Sequence, residues 1–173
     1  MAQAIQGKDL VLFFRALKNK ATDNGAKLKF QTEHEIAQEK ESNTTPTKDG
    51  AIVSVSDGES SASITSIAYR EDGATVEVWK DLESYFKANE IVEVWQVDLG
   101  SKTGVVGSET YEVEYYQGYF TSFSKTAPTD DMVELSIEYL INGNGASGTD
   151  TLTTAQQTAL NQYEYENIAQ PVI

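Results

Sequence analysis

"DMVELSIEYLI", residues 131–141, decides the fold class. Val133, Leu135, Ile137, Tyr139 and Ile141 occupy every second position, with Glu134, Ser136 and Glu138 between them. A period of two belongs to a strand with one buried and one wet face. A sheet that faces water on one side is usually antiparallel.

Upstream, "TYEVEYYQGYFTSFS" (110–124) reads as a long aromatic strand with a bulge at Gly118. "EIVEVWQVDL" (90–99) is a third strand, and "AIVSVSDGESSASITSIAY" (51–69) reads as two strands about a turn at Asp57-Gly58. "DLVLFFRAL" (9–17) also fits a helical stripe, but its short length and its Val11, Phe13 and Phe14 favour a buried strand. After the turn signal Asp23-Asn24-Gly25, Ala26, Leu28 and Phe30 alternate with Lys27, Lys29 and Gln31, as in a half-buried strand.

One helix interrupts the strands. In "WKDLESYFKANE" (79–90), Trp79, Leu82, Tyr85 and Phe86 share one face opposite charged residues, which predicts an amphipathic helix over about 79–89. "NGNGASG" (142–148) reads as a flexible link. Beyond it, Thr153 and Gln156 have capping-box spacing for a short helix. The expected architecture is an antiparallel β-sandwich or barrel over residues 1–150, with one helix, a long polar loop and a C-terminal arm over 151–173.

That polar loop is "ESNTTPTKDG" (41–50), which follows the charged run "EHEIAQEK" (33–40) and holds no large apolar residue. A long structureless connection in a compact domain is either functional or a tether. Residues 34–50 carry the polar side chains Glu39, Lys40, Glu41, Asn43, Lys48 and Asp49, and their composition alone leaves both readings open.

At 173 residues the chain is long enough for one well-buried domain. It has no cysteine, so neither a disulfide framework nor a thiolate metal site can form. The longest apolar run, Leu10–Phe14, is far too short to span a membrane, which predicts a soluble protein made and assembled in a cytoplasm. The net charge is −14, and it is unevenly placed. Residues 1–50 carry 8 basic and 7 acidic side chains, whereas residues 51–173 carry 5 and 20. Such a body repels phosphates, which argues against nucleic-acid binding.

The residues give little support for catalysis. His34 is the only histidine, "DDMVE" (130–134) lacks the spacing of a calcium loop, and "GSKTGVVG" (100–107) lacks that of a phosphate loop. No enzyme, metal or cofactor is expected. The aromatic strand, with Trp79 and Trp95, leaves open a sugar-binding or adhesin module working as a monomer. Glu112 and Glu114 stand beside Tyr116 and Phe120 on the strand's second parity, so that one of its faces is partly acidic.

Three stretches resemble the major tail protein, or tail tube protein, of phages with long non-contractile tails that infect Gram-positive bacteria. "MAQAIQGKDLVLFFRAL" (1–17) resembles the family's opening strand. "ESNTTPTKDG" (41–50) is similar to its threonine-rich passage ending in Lys48, Asp49 and Gly50. "GYFTSFSKTAPTDDMVELSIEYLINGNG" (118–145) resembles its strand, Ala-Pro turn, strand and glycine-rich exit. The resemblance implies hexameric rings stacked into a tube, with sheets from all subunits closing into one inner barrel. It implies a tube that encloses the tape measure protein, meets tail-end proteins and conducts DNA without binding it, in a virion and without a membrane. It makes residues 34–50 an assembly arm and Glu112 and Glu114 candidates for the lumen wall, with Glu134 and Glu138 as second choices. Another tail ring protein, distal or neck, remains an alternative.

Overall fold

The computed structural model describes residues 1–71 and 77–160. Seven strands, all antiparallel, form one sheet in the order β2-β1-β5-β6-β7-β4-β3. They are β1 Leu10–Ala16, β2 Ala26–Lys27, β3 Gln31–Thr47, β4 Gly50–Ile67, β5 Val92–Thr103, β6 Thr110–Thr126 and β7 Glu134–Asp150. Helix α1 is Val78–Lys87 and α2 is Thr154–Leu160.

The sheet folds over into a sandwich because β6 and β7 are long enough to serve both layers. The first half of β6 pairs with β5, from Val97↔Val113 to Val92↔Gly118. The second half pairs only with β7, which in turn pairs with β4. Leu12, Phe14, Val92, Val94 and Tyr116 of one layer meet Ala62, Ile64, Phe120, Ile137 and Tyr139 of the other. Leu82 of α1 closes this core, flanked by Trp79, Tyr85 and Phe86. The buried Tyr139 hydroxyl donates across it to the Val92 carbonyl at 2.7 Å, which satisfies a polar group that would be costly unpaired.

Side chains close the remaining seam between β1 and β3. The Gln31 amide accepts from Leu12 N–H at 3.2 Å and donates to the Leu12 carbonyl at 3.0 Å, imitating one rung of a ladder. A smaller cluster lies on the opposite face of β1, β5 and β6: Val11, Phe13, Val97, Tyr111 and Val113, covered in part by Leu152 and Leu160. Thr153 and Gln156 do form the capping box of α2, each side chain accepting from the other residue's backbone N–H.

Several glycine-rich signals serve bulges rather than turns. Asp57-Gly58 lies inside β4, where a Cβ on Gly58 would stand 2.8 Å from the Glu39 carbonyl oxygen, next to the irregularity between Gln38 and Lys40. "NGNG" is not a link: β7 continues through it to Asp150, with Gly143 and Gly145 both at φ +71°. A side chain at Gly145 would strike the Tyr116 ring at 2.5 Å. Around Gly118 the ladder shifts on either side, at Tyr116 and Thr121, and Gly118 itself lies so close to Leu140 that a Cβ would fall 1.9 Å from its oxygen. The expected strand at 26–31 is only two residues long, because Phe30 takes φ +56° and turns the chain into β3.

The largest correction concerns residues 41–50. They are not a loop. β3 and β4 pair without a break from Lys40↔Asp57 to Thr47↔Gly50, leaving Lys48 and Asp49 as a two-residue turn. β4 parts from β7 beyond Ser60↔Ile141, so the outer hairpin extends as a two-stranded arm. The β-branched Thr44, Thr45 and Thr47 of β3 and Ile52, Val53 and Val55 of β4 support extended backbone even where no core lies beneath.

Candidate functional site

The half of the sandwich built from β6 (Tyr119–Thr126), β7, β4 and β3 has unequal faces. Its inner face carries Phe120, Ile137, Tyr139, Ala62 and Ile64 into the core. Its outer face carries Ser122, Ser124, Glu134, Ser136, Glu138, Ser61, Ser63, Thr65, Glu33 and Glu35, with Tyr119, Leu140, Ala37 and Ile67 among them, as the ladder registers require. Ser63 Oγ donates to Glu138 at 2.9 Å. No lysine or arginine stands among these positions.

Both lateral strands of this four-stranded section lack a second ladder partner, although the Gln31 side chain ties the first residue of β3 to Leu12 and α1 packs Phe86 on Phe123. β5 leaves β6 at Gly118, so Tyr119–Thr126 has one unpaired edge, and β3 is the outermost strand at the other side. β6 and β3 run in opposite directions, since three antiparallel pairings separate them.

Every polar residue expected on the assembly arm is exposed on it or at its base. Glu39 sits at the bulge, Lys40 pairs with Asp57, Glu41 and Asn43 face Ser56 and Ser54, and Lys48 and Asp49 form the tip. Asn144, from the β7 bulge, donates to Asp57 at 2.9 Å and so holds the arm's base to the body. Lys40 and Asn144 together keep the Asp57 carboxyl below its ordinary range. The arm also exposes Ile52, Val53 and Val55.

Glu112 and Glu114 lie on the other face from Glu134 and Glu138, because even-numbered residues of β6 up to Phe120 point to the core side. Glu114 accepts from the Tyr116 hydroxyl at 2.8 Å and from Gln96 at 3.2 Å, and Gln96 meets His34 at 2.8 Å. Burial, then this hydrogen bond to Glu114, pushes the Tyr116 hydroxyl up to about 12. His34 thus helps to join the two layers.

A sugar platform does not form from the aromatic strand. Tyr111, Tyr116 and Phe120 are buried, Tyr115 packs on Trp95, and only Tyr119 of the strand's tyrosines is exposed. Trp79 is tied to the Tyr69 carbonyl by its indole N–H at 2.8 Å. A buried network passed unnoticed in the sequence: Glu93, 1% exposed, pairs with Arg15 at 2.7 Å and accepts from the Tyr115 hydroxyl at 2.6 Å. Its one sequence signal is a glutamate at a strand position between Val92 and Val94.

The C-terminal piece docks on its own domain as far as Leu160: Gln156 donates to the Gly25 carbonyl at 2.7 Å, and Leu152 and Leu160 join the second cluster. Tyr163, Tyr165 and Ile168 of the same C-terminal arm lie outside the described residues. Among the described residues no group of acidic, histidine or cysteine side chains is placed to hold a metal, and no helix is long and apolar enough to cross a membrane.

Comparison with known proteins agrees with this architecture. The family model described as phage tail tube protein matches residues 4–146. A protein of Staphylococcus phage phiMR25 named "Putative tail protein" is 27% identical over 158 residues, 90% of this chain and 77% of that protein. Among solved structures, the SPP1 tail tube superposes with a TM-score of 0.70 at 16% identity, covering 98% of this chain and 95% of that one. The tail of an empty gene transfer agent particle, refined with C6 symmetry, gives 0.60 at 14% identity over 84% of this chain and 98% of that one. The chain belongs to the phage tail tube protein family and is a structural component of the virion.

Proposed function

We propose that copies of this chain join edge to edge into rings, with β3 of one copy against Tyr119–Thr126 of the next, and that the rings stack into the tail tube. The observation that carries this reading is the four-stranded section with two open edges of opposite direction. Rotation about a ring axis preserves strand direction, so the two edges meet antiparallel at every junction, and ring closure removes edges that would otherwise pair at random. The C6 symmetry of the gene transfer agent tail makes six copies the natural number.

The outer face of this section becomes the lumen wall in such a ring. Its carboxylates and hydroxyls, without a cation, suit a passage that DNA crosses without being held, since each phosphate paired with a lysine or arginine adds salt-sensitive affinity. Glu134 and Glu138 are therefore the leading wall residues, ahead of Glu112 and Glu114 on the core-side face. The tape measure protein fills the lumen during assembly, tail-end proteins close the tube, and the arm at 40–57 reaches a neighbouring copy.

Electron microscopy of the concentrated protein tests the reading: tubes are expected, whereas closed rings alone support a distal or neck ring and monomers alone a binding module. Glu134→Lys with Glu138→Lys should permit tubes yet slow genome ejection, and the same change at Glu112 and Glu114 should slow it less. The reverse order would place Glu112 and Glu114 on the wall.

A further inference from the structure

The large apolar side chains left exposed are not scattered. Ile52, Val53 and Val55 of the arm, and Val105 and Val106 between β5 and β6, lie at the end where β4 and β6 begin and β3, β5 and β7 finish. Phe30, before β3, and Met132, before β7, lie at the opposite end. Among the described residues from Gly7 onward, Tyr119 is the one exposed large apolar residue placed at neither end.

Val105 and Val106 form a built feature. They are 74% and 96% exposed at the tip of a hairpin, where polar residues are usual. Gly104 and Gly107 take φ +106° and +89°, and the Ser108 N–H donates to the Val105 carbonyl at 2.9 Å. The buried Glu109 carboxylate accepts from Gly107 N–H at 3.0 Å and pairs with Lys102 at 3.3 Å. A loop tied down in this way loses little further freedom on binding. At the opposite end, the chain before β3 and the chain before β7 flank the last residues of β4: Ile67 N–H donates to the Phe30 carbonyl at 3.2 Å and Ala68 N–H to that of Val133, next to Met132, at 2.9 Å.

We propose that Val105 and Val106 of one copy seat against Phe30 and Met132 of a second copy stacked end to end on the first. This rests on the stacked-ring reading above and names the surface that carries the stacking. The two patches are both apolar and stand at opposite ends of one chain, so the end of one copy can cover the end of the next. One patch on each end makes the contact heterologous, so it does not close on itself and leaves every stack open for the next ring. It is separate from the edge-to-edge pairing within a ring, whose strands face sideways.

The chain has no cysteine, which makes a cross-linking test clean. Copies carrying Val106→Cys and copies carrying Met132→Cys are mixed, assembled and treated with a short bismaleimide. Cross-linked pairs containing one copy of each are expected in tubes and not in unstacked rings. The double variant Val105→Ser with Val106→Ser should melt like the unaltered chain but need at least roughly tenfold more protein to lengthen tubes, as lost burial of two valines implies. Tubes of the cysteine-bearing copies without the mixed pair, the pair in unstacked rings, or normal growth of the serine variant would each overturn this contact while leaving the stacked-ring reading intact. If the unaltered chain forms no tubes, both fall. If Val106→Cys folds normally but halts growth, that result supports the contact.

Discussion

From Ser60 to Ile67, β4 runs between β7 and β3 and buries Ala62, Ile64 and Ser66; from Gly50 to Asp57 it has only β3 beside it and leaves Ile52, Val53 and Val55 61–63% exposed. Hydrogen-bonded pairing is continuous, but burial stops where β7 turns away. Pairing and packing are thus separable within one strand. An isolated two-stranded hairpin is marginal in water, so the arm owes its order to the body that continues it. Its aliphatic side chains contribute nothing to the core and remain available for another surface.

Ion pairs offer the sharpest way to break this comparison. In the body, Glu93 is buried with Arg15; in the arm, Lys40 and Asp57 pair in solvent. Glu93→Ala strands the Arg15 charge beside Trp95 and should cost about 3–5 kcal/mol in a chemical melt. Asp57→Ala should leave the melting midpoint unmoved, because exposed pairs contribute little. Equal losses would show that the arm is part of the folding unit.

Apolar truncation asks the same of the two halves of β4. Ile64→Ala removes a side chain that is 1% exposed and should cost about 2–5 kcal/mol. Val53→Ala should stay within about 0.5 kcal/mol. A large loss at Val53 would mean that the free subunit already buries the arm.

Alkaline pH separates the regions by chemistry. Burial first, then Glu71 for Tyr69 and Glu114 for Tyr116, raises both hydroxyls to about 12, and burial raises Tyr139 further. Because the folded state holds these protons more tightly than the unfolded one, their stabilisation is complete below about pH 10 and is lost as pH climbs towards 12. Tyr116→Phe should lessen the fall by about 1.4 kcal/mol per pH unit in that window. No tyrosine lies in residues 40–57, so arm variants should keep the unaltered slope.

The sequence showed the body more clearly than the arm. Where alternation meets a core, as in Leu135, Ile137 and Tyr139, period two is unambiguous, and the helix and capping box were equally legible. In the arm the strand has no core to impose a pattern, and threonine, serine and proline read as a loop. Glycine signals misled at Gly58, Gly143 and Gly145, since a bulge and a turn ask the same freedom of the backbone. The parity of Glu112 and Glu114 was visible, but which parity faced the core depends on β5 and β7, two non-local partners. Neither the open edges nor the Glu93 network can be read without those pairings.

The smallest expected effect on stability is also the most telling. Replacing Glu41–Ser56 by Asn-Gly leaves Lys40 and Asp57 opposite each other, the register they already have, and closes them with the two-residue turn that suits a hairpin. Asp57 keeps its bond from Asn144, so the base of the arm remains anchored. No residue removed belongs to either apolar cluster, and the unfolding free energy should change by less than about 0.5 kcal/mol. Tube growth, followed by light scattering and microscopy, should stop at rings or fail altogether, because the exposed face of Val53 and Val55 is gone. A lower melting midpoint would return the arm to the folding unit. Tubes that lengthen normally would leave it a surface ribbon, and its three exposed aliphatic side chains would have no partner in the assembly.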